Sequence, residues 1–162
     1  MNRGRGVVAA VVLVGLGVMV AAEAGRAERG AADEIAAFNK HYLELHQNTD
    51  TAGILALWAE DGVDMMPGDA PIVGKKKIVA WLEDVMSKIQ GYKVTKQEME
   101  FRDIHTCGEW ASEWIAEHQI VQPPDGKAAP IEVFGKAALV LHREANGEWK
   151  VQQEMWSSSP KP

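Results

Sequence analysis

From Asp33 onward the apolar residues Ile35, Phe38, Tyr42 and Leu45 recur three and four positions apart. That spacing predicts a helix of about four turns with one buried stripe. Asn48-Thr49-Asp50 ends it, and Asp50 suits the N-cap of a second helix running from Thr51 to about Ala59. Ile54, Leu55 and Trp58 supply the apolar side of that helix. Asp61-Gly62 is expected to stop it, and Val63 to Met66 read as a short strand before a Pro67-Gly68 turn. A third helix is expected after Gly74, with Ile78, Trp81, Leu82, Val85 and Ile89 on one face and Gly91 at its end.

Past Gly91 the periodicity changes from helical to alternating. Tyr92 to about Ile104 predicts a long strand whose apolar parity switches between Val94 and Met99, which calls for a bulge or bend. In the stretch Glu109 to Gln122, Trp110, Trp114, Ala116 and Ile120 share one face, and Glu113, Glu117 and Gln119 share the other. Pro123-Pro124-Asp125-Gly126 marks a hairpin to a strand at Ile131 to Arg143. Asn146-Gly147 marks the next, to Trp149 through Trp156. The Ile131 strand is apolar on both parities, so both of its faces need covering. Three helices can cover one face of a curved antiparallel sheet, and a symmetric homodimer packed through the outer sheet face would cover the other.

Before Asp33 the chain has a different character. Arg3 and Arg5 precede an apolar run, Val7 to Ala22, closed by Ala22-Glu23-Ala24. This has the form of a signal peptide over residues 1–24, with an uncleaved anchor as the alternative, followed by a flexible leader to residue 32. The expected location is secreted or periplasmic, with no membrane association after cleavage. With Arg3, Arg5 and Glu23 removed, the counts fall from 17 to 15 basic and from 23 to 22 acidic, a charge near −7. The remaining chain is long enough for one domain with a core, at 33–159. An acidic chain whose one basic cluster is Lys75-Lys76-Lys77 argues against nucleic acid as a partner. Cys107 is the sole cysteine, so no disulfide forms within the chain, and a buried, inert thiol is expected. No phosphate loop, nucleophile motif or metal-ligand spacing is present, and no cofactor is expected.

The order of elements, with the segments "YLELHQNTDTAGILALWAEDG" (Tyr42 to Gly62), "PIVGKKKIVAWL" (Pro71 to Leu82) and "HREANGEWKVQQEMWSSS" (His142 to Ser159), resembles the nuclear-transport-factor-like superfamily. That group includes the ketosteroid isomerases, the SnoaL-like cyclases and the kinase association-domain-like proteins. The resemblance implies a cone-shaped α+β fold, three helices on a curved sheet, with a pocket inside the cone. In the isomerases the pocket holds a carboxylate base just before a proline, a tyrosine on the first helix, and a protonated acid on a later strand. Tyr42 matches the tyrosine. Met66 falls at the base position before Pro67 and cannot take up a proton, and the later acid falls near Ala137. Steroid isomerisation by the familiar route is therefore not expected.

Other polar residues remain available to such a pocket. Asp64 has the parity of Met66 and is a candidate displaced base, the alternative being a solvated carboxylate. His118 stands among Trp110, Trp114 and Ile120 and is a candidate general acid or base, the alternative being a hydrogen-bonded structural histidine. Tyr42, Asp64 and His118 form the candidate catalytic set, and Trp58, Met66, Met99, Trp114 and Gln153 the candidate ligand-binding set. Glu154 and Trp156 have the opposite parity to Gln153 and fall on the expected dimer face. Two main readings follow: an exported protein that binds a small apolar or amphipathic molecule without chemistry, or an isomerase, lyase or cyclase acting on a carbonyl compound. A dimeric assembly module is a third.

Overall fold

The computed structural model describes residues 30–124, 126 and 128–161. The signal-peptide reading and residues 25–29 of the expected leader lie outside the described residues. Residues 30–32, expected to belong to the leader, are the first turn of helix α1 (30–47), and Ala31 is buried. One stripe of α1, including Ile35, Phe38, Asn39, Tyr42 and Leu45, faces the core.

Helix α2 (Thr51–Ala56) is capped by Asp50, whose Oδ1 accepts from Gly53 N at 2.9 Å. It is shorter than expected, because strand β1 begins at Trp58 and runs to Met65. Asp61-Gly62 therefore lies inside a strand instead of ending a helix. The register of β1 shifts between Trp58 and Val63, and a Cβ at Gly62 would come within 2.9 Å of the Trp58 ring and 3.1 Å of the Ala59 carbonyl. The glycine serves a close approach within an irregular strand, a use that resembles a helix stop in sequence.

A short strand β2 (Ile72–Val73) pairs with β1, and helix α3 (Lys75–Lys88) follows. Four long strands complete the chain: β3 (Lys93–Cys107), β4 (Trp110–Gln122), β5 (Ile131–Arg143) and β6 (Trp149–Ser158). The sheet order is β2-β1-β6-β5-β4-β3. It departs from the expected all-antiparallel arrangement in one place, since β1 lies parallel to β6. Bulges bend β3 between Val94 and Lys96 and again between Arg102 and His105, and the first accounts for its parity switch. Cys107 is exposed at the end of β3, which corrects the expectation of a buried thiol.

The core lies between the helices and one sheet face. Ile35, Ile78, Ile115, Leu139, Leu141 and Val151 are its most completely buried large side chains. The helices and the curved sheet thus form the α+β cone.

Candidate active site

A cavity of about 360 Å³ opens inside the cone. Met66, Val85, Met99, Ile115 and Ala137 form its apolar wall, and Tyr42, His46, Glu117, Gln119, Glu154 and Trp156 carry its polar groups. Tyr42 and His46 are one turn apart on α1, with ring centroids 4.4 Å apart. Glu117 and Gln119 come from β4, and Glu154 and Trp156 from β6.

The two faces of β4 are the reverse of what their polarity suggests. Ala111, Glu113 and Ile115 are buried toward the helices together with Glu117 and Gln119, while Trp110 is 47% exposed on the outer face. The acids are accommodated because each meets a donor or becomes neutral. Glu113 Oε2 accepts from Asn39 Nδ2 at 2.7 Å, and burial, against that bond, pushes the Glu113 carboxyl up to about 7. Glu117 accepts from Gln97 Nε2 at 2.7 Å and from Trp156 Nε1 at 2.8 Å. Gln119 Nε2 in turn donates to Gln97 Oε1 at 2.7 Å, so a polar chain borders one side of the cavity. The Trp156–Glu117 contact needs Gly135 beneath it, where a Cβ would lie 2.7 Å from Trp156 Nε1 and 2.9 Å from Glu117 Oε2.

Glu154 is the centre of the arrangement. Its strand has a register irregularity between the Val140 and Leu141 pairings, where Gln152 is the extra residue. The parity of β6 therefore flips after Val151, turning Glu154 inward and Gln153 outward. Tyr42 donates its hydroxyl hydrogen to Glu154 Oε2 at 3.3 Å. Burial first, then the charges of Asp64 and Glu117, push the Glu154 carboxyl up to about 8, with the Tyr42 bond working in the opposite direction. At neutral pH Glu154 is predominantly a carboxylic acid and can donate a hydrogen bond. The same burial and the charge of Glu154 hold the Tyr42 phenol well above its ordinary value.

Asp64 is the register partner of Glu154 on the neighbouring parallel strand. It is 2% exposed, its Oδ1 has no hydrogen-bond partner among the described residues, and burial raises it to about 6. It stands beside Glu154 and does not line the cavity. His46 is driven down to about 4 by burial, so its ring is neutral, and its Nε2 is buried without a partner among the described residues.

Of the candidates read from the sequence, Tyr42, Met66 and Met99 line this cavity. His118 is on the outer sheet face, where its ring stacks on Phe134 at 4.4 Å and its Nε2 lies 3.0 Å from Glu132 Oε1. Trp114 is also outside, donating to Asp103 Oδ2 at 2.5 Å under the Arg102 guanidinium. Trp58 is packed in the core, and Gln153 is exposed on β6. Sequence reasoning missed Glu117, Glu154 and Trp156 as cavity residues. The signal for the first was the shared parity of Glu113, Glu117 and Gln119, polar yet central to a long strand. The Gln152 bulge hid the other two.

The SnoaL-like domain family matches residues 33–151. The chain belongs to that SnoaL-like family. Solved structures of similar fold are consistent with this membership. A ketosteroid isomerase-like protein from Erwinia carotovora atroseptica aligns at a TM-score of 0.66 with 22% identity, over 79% of this chain and 96% of that one. ActVI-ORFA from Streptomyces coelicolor aligns at 0.62 with 21% identity, over 80% and 98%. An NTF2-like protein of unknown function from Pseudomonas putida aligns at 0.61 with 23% identity, over 82% and 89%. These identities speak for the SnoaL-like fold alone. No curated protein matches the chain.

Proposed function

We propose that the cavity binds a small, largely apolar carbonyl compound and that Glu154 and Tyr42 hold its oxygen. The observation that carries this is the buried Tyr42–Glu154 pair at 3.3 Å, on the wall of an otherwise mostly apolar cavity. With Tyr42 donating to Oε2, the acid hydrogen of Glu154 is available to an acceptor in the cavity. In a site of low polarity such a donor strengthens as negative charge grows on the acceptor. The pair matches in kind the tyrosine and protonated acid implied by the family resemblance, with the acid supplied from β6 instead of the position of Ala137. The ketosteroid isomerase-like neighbour is in keeping with this reading.

Chemistry on the bound carbonyl is a second reading, favoured by Glu117 facing the same cavity. Met66 is unable to act as a base, so Glu117 is the carboxylate through which a proton α to the carbonyl would leave. Ligand-observed NMR titration with cyclohexenone tests binding: Glu154→Ala and Tyr42→Phe should each weaken it, and equal affinity in all three proteins refutes the proposal. Deuterium uptake at the α-carbon of the same ketone in heavy water, lost in Glu117→Gln, tests the chemistry.

The same reading includes a homodimer and export. Trp110 and Met155 are 47% and 53% exposed on the outer sheet face, and a second copy would cover them. Met155→Lys should shift the mass measured by light scattering from two chains to one. Export through residues 1–24 predicts a mature N-terminus after Ala24 in protein recovered from its host.

A further inference from the structure

A second cavity, of about 210 Å³, adjoins the first. The two share His46 and Gln119, and α1, β3 and β4 each run from one into the other. Along β4 the inward residues Ile115 and Glu117 line the inner cavity, Gln119 lines both, and Val121 lines the outer one. Along α1 the sequence is Tyr42, then His46, then Thr49 just past the helix end. Ile115 and Val121 are six positions apart along the strand, which corresponds to about 20 Å.

The chambers differ in chemistry. The inner one holds the carboxyls and Tyr42, while the outer one has Ile54, Leu82, Met86, Ile89, Val94 and Val121 on its wall. Ile89 and Tyr92 at its rim are 42% and 40% exposed, so apolar surface is left open to water. The shared neck contains His46, a neutral ring with a buried Nε2 that the described residues leave unpartnered.

We infer that the two chambers form one channel for an elongated carbonyl compound, with its carbonyl at Tyr42 and Glu154 and an unbranched hydrocarbon tail passing His46 into the outer chamber. This rests on the carbonyl reading of the inner cavity and adds the ligand's shape and tail. The predominantly apolar wall disfavours a charged tail, which would lose its water without an opposite charge among the lining residues. It rewards each methylene withdrawn from water.

The test is a series of unbranched methyl ketones, from butanone upward, titrated against the full protein by ligand-observed NMR below the Glu154 midpoint. The dissociation constant should fall by about fourfold per added methylene until the outer chamber is filled, and then level off. Leu82→Trp, which occupies the outer chamber, should abolish the gain while leaving butanone binding unchanged, and Met86→Trp is the alternative should that variant fail to fold. A flat wild-type series, with butanone still dependent on Tyr42 and Glu154, overturns the channel and leaves the carbonyl reading intact. A slope that persists in both tryptophan variants puts the tail elsewhere and also overturns it. A slope with no dependence on Tyr42 or Glu154 supports the tail chamber and refutes the carbonyl reading beneath it.

Discussion

Replacing Glu154 with Gln keeps the shape of the side chain and its acceptor for the Tyr42 hydroxyl while removing its ionisation. The consequence for stability follows from proton linkage. Glu154 has an ordinary value of 4.5 and is raised to about 8 in the folded chain. Between these values the folded state holds a proton that the unfolded state has released, so wild-type stability falls as pH rises through that window. Below pH 4.5 the carboxyl is protonated in both states and no penalty exists. Above pH 8 it is ionised in both states and the penalty is complete. The rise spans about 3.5 pH units, and at about 1.36 kcal/mol per unit its ceiling is about 5 kcal/mol. Relaxation of the site and entry of water reduce this, so a difference of about 2 to 4 kcal/mol is expected.

Urea denaturation of both proteins, followed by circular dichroism between pH 4.5 and 8.5, measures it. The stability of Glu154→Gln relative to wild type should rise with pH across the window and be flat outside it. Glu113 also titrates but is common to both proteins, so the difference reports Glu154 together with its coupling to Asp64. A difference that does not change with pH would mean that Glu154 ionises in the folded chain as it does in water, and the neutral-donor argument would fall with it.

Three further perturbations test its surroundings. Asp64→Asn removes the neighbouring charge that contributes to raising Glu154, so the Glu154 midpoint, followed by carbon-detected NMR of the carboxyl, should move below about 8; an unmoved midpoint would show that the two strands do not share charge. Asn39→Ala deprives Glu113 of its donor and should destabilise the fold by about 1 to 3 kcal/mol. That loss should be larger at pH 8 than at pH 5, since the Glu113 carboxyl titrates near 7 and its ionised form needs the donor most. Gly135→Ala pushes a methyl group into Trp156 and Glu117 and should destabilise by about 1 to 3 kcal/mol, read as a lower urea midpoint with altered tryptophan fluorescence.

The parts of the fold readable from sequence were those where local pattern and tertiary environment agree. The α1 stripe, the Asp50 cap and the Asn146-Gly147 hairpin each declare themselves within a few residues, because their geometry is set by neighbours in the chain. The boundary between α2 and β1 did not. Trp58 fits a helical stripe as well as a buried strand, and only the parallel pairing with β6, nearly a hundred residues away, decides between them. The cavity was legible on its apolar side and at Tyr42, and hidden on its acidic side for two reasons. The Gln152 bulge reverses the parity of β6 in a segment with no glycine or proline to mark it. On β4 the two faces alternate as expected, but the face of Trp114 and His118, expected to supply pocket residues, is the outer one.

That inversion bears on what the acids are for. Asp64, Glu113 and Glu154 are buried with their carboxyls raised, so each withholds stability at neutral pH that an apolar side chain of similar size would supply. Glu113 has a structural partner in Asn39 and sits against α1, which is enough to explain it as part of the packing. Glu154 meets only the longer Tyr42 contact, at 3.3 Å. Asp64 Oδ1 has no partner among the described residues, and the charge of Asp64 raises the carboxyl that faces the cavity. Packing alone does not account for two carboxyls side by side across neighbouring strands, one of them with an oxygen that has no partner among the described residues. The arrangement makes sense where the neutral form of Glu154 is itself the functional state, with Asp64 as the positioning residue that favours it. On that argument the stability withheld at neutral pH and the hydrogen-bond donor in the cavity have the same origin, and a change that relieves the first should weaken the second.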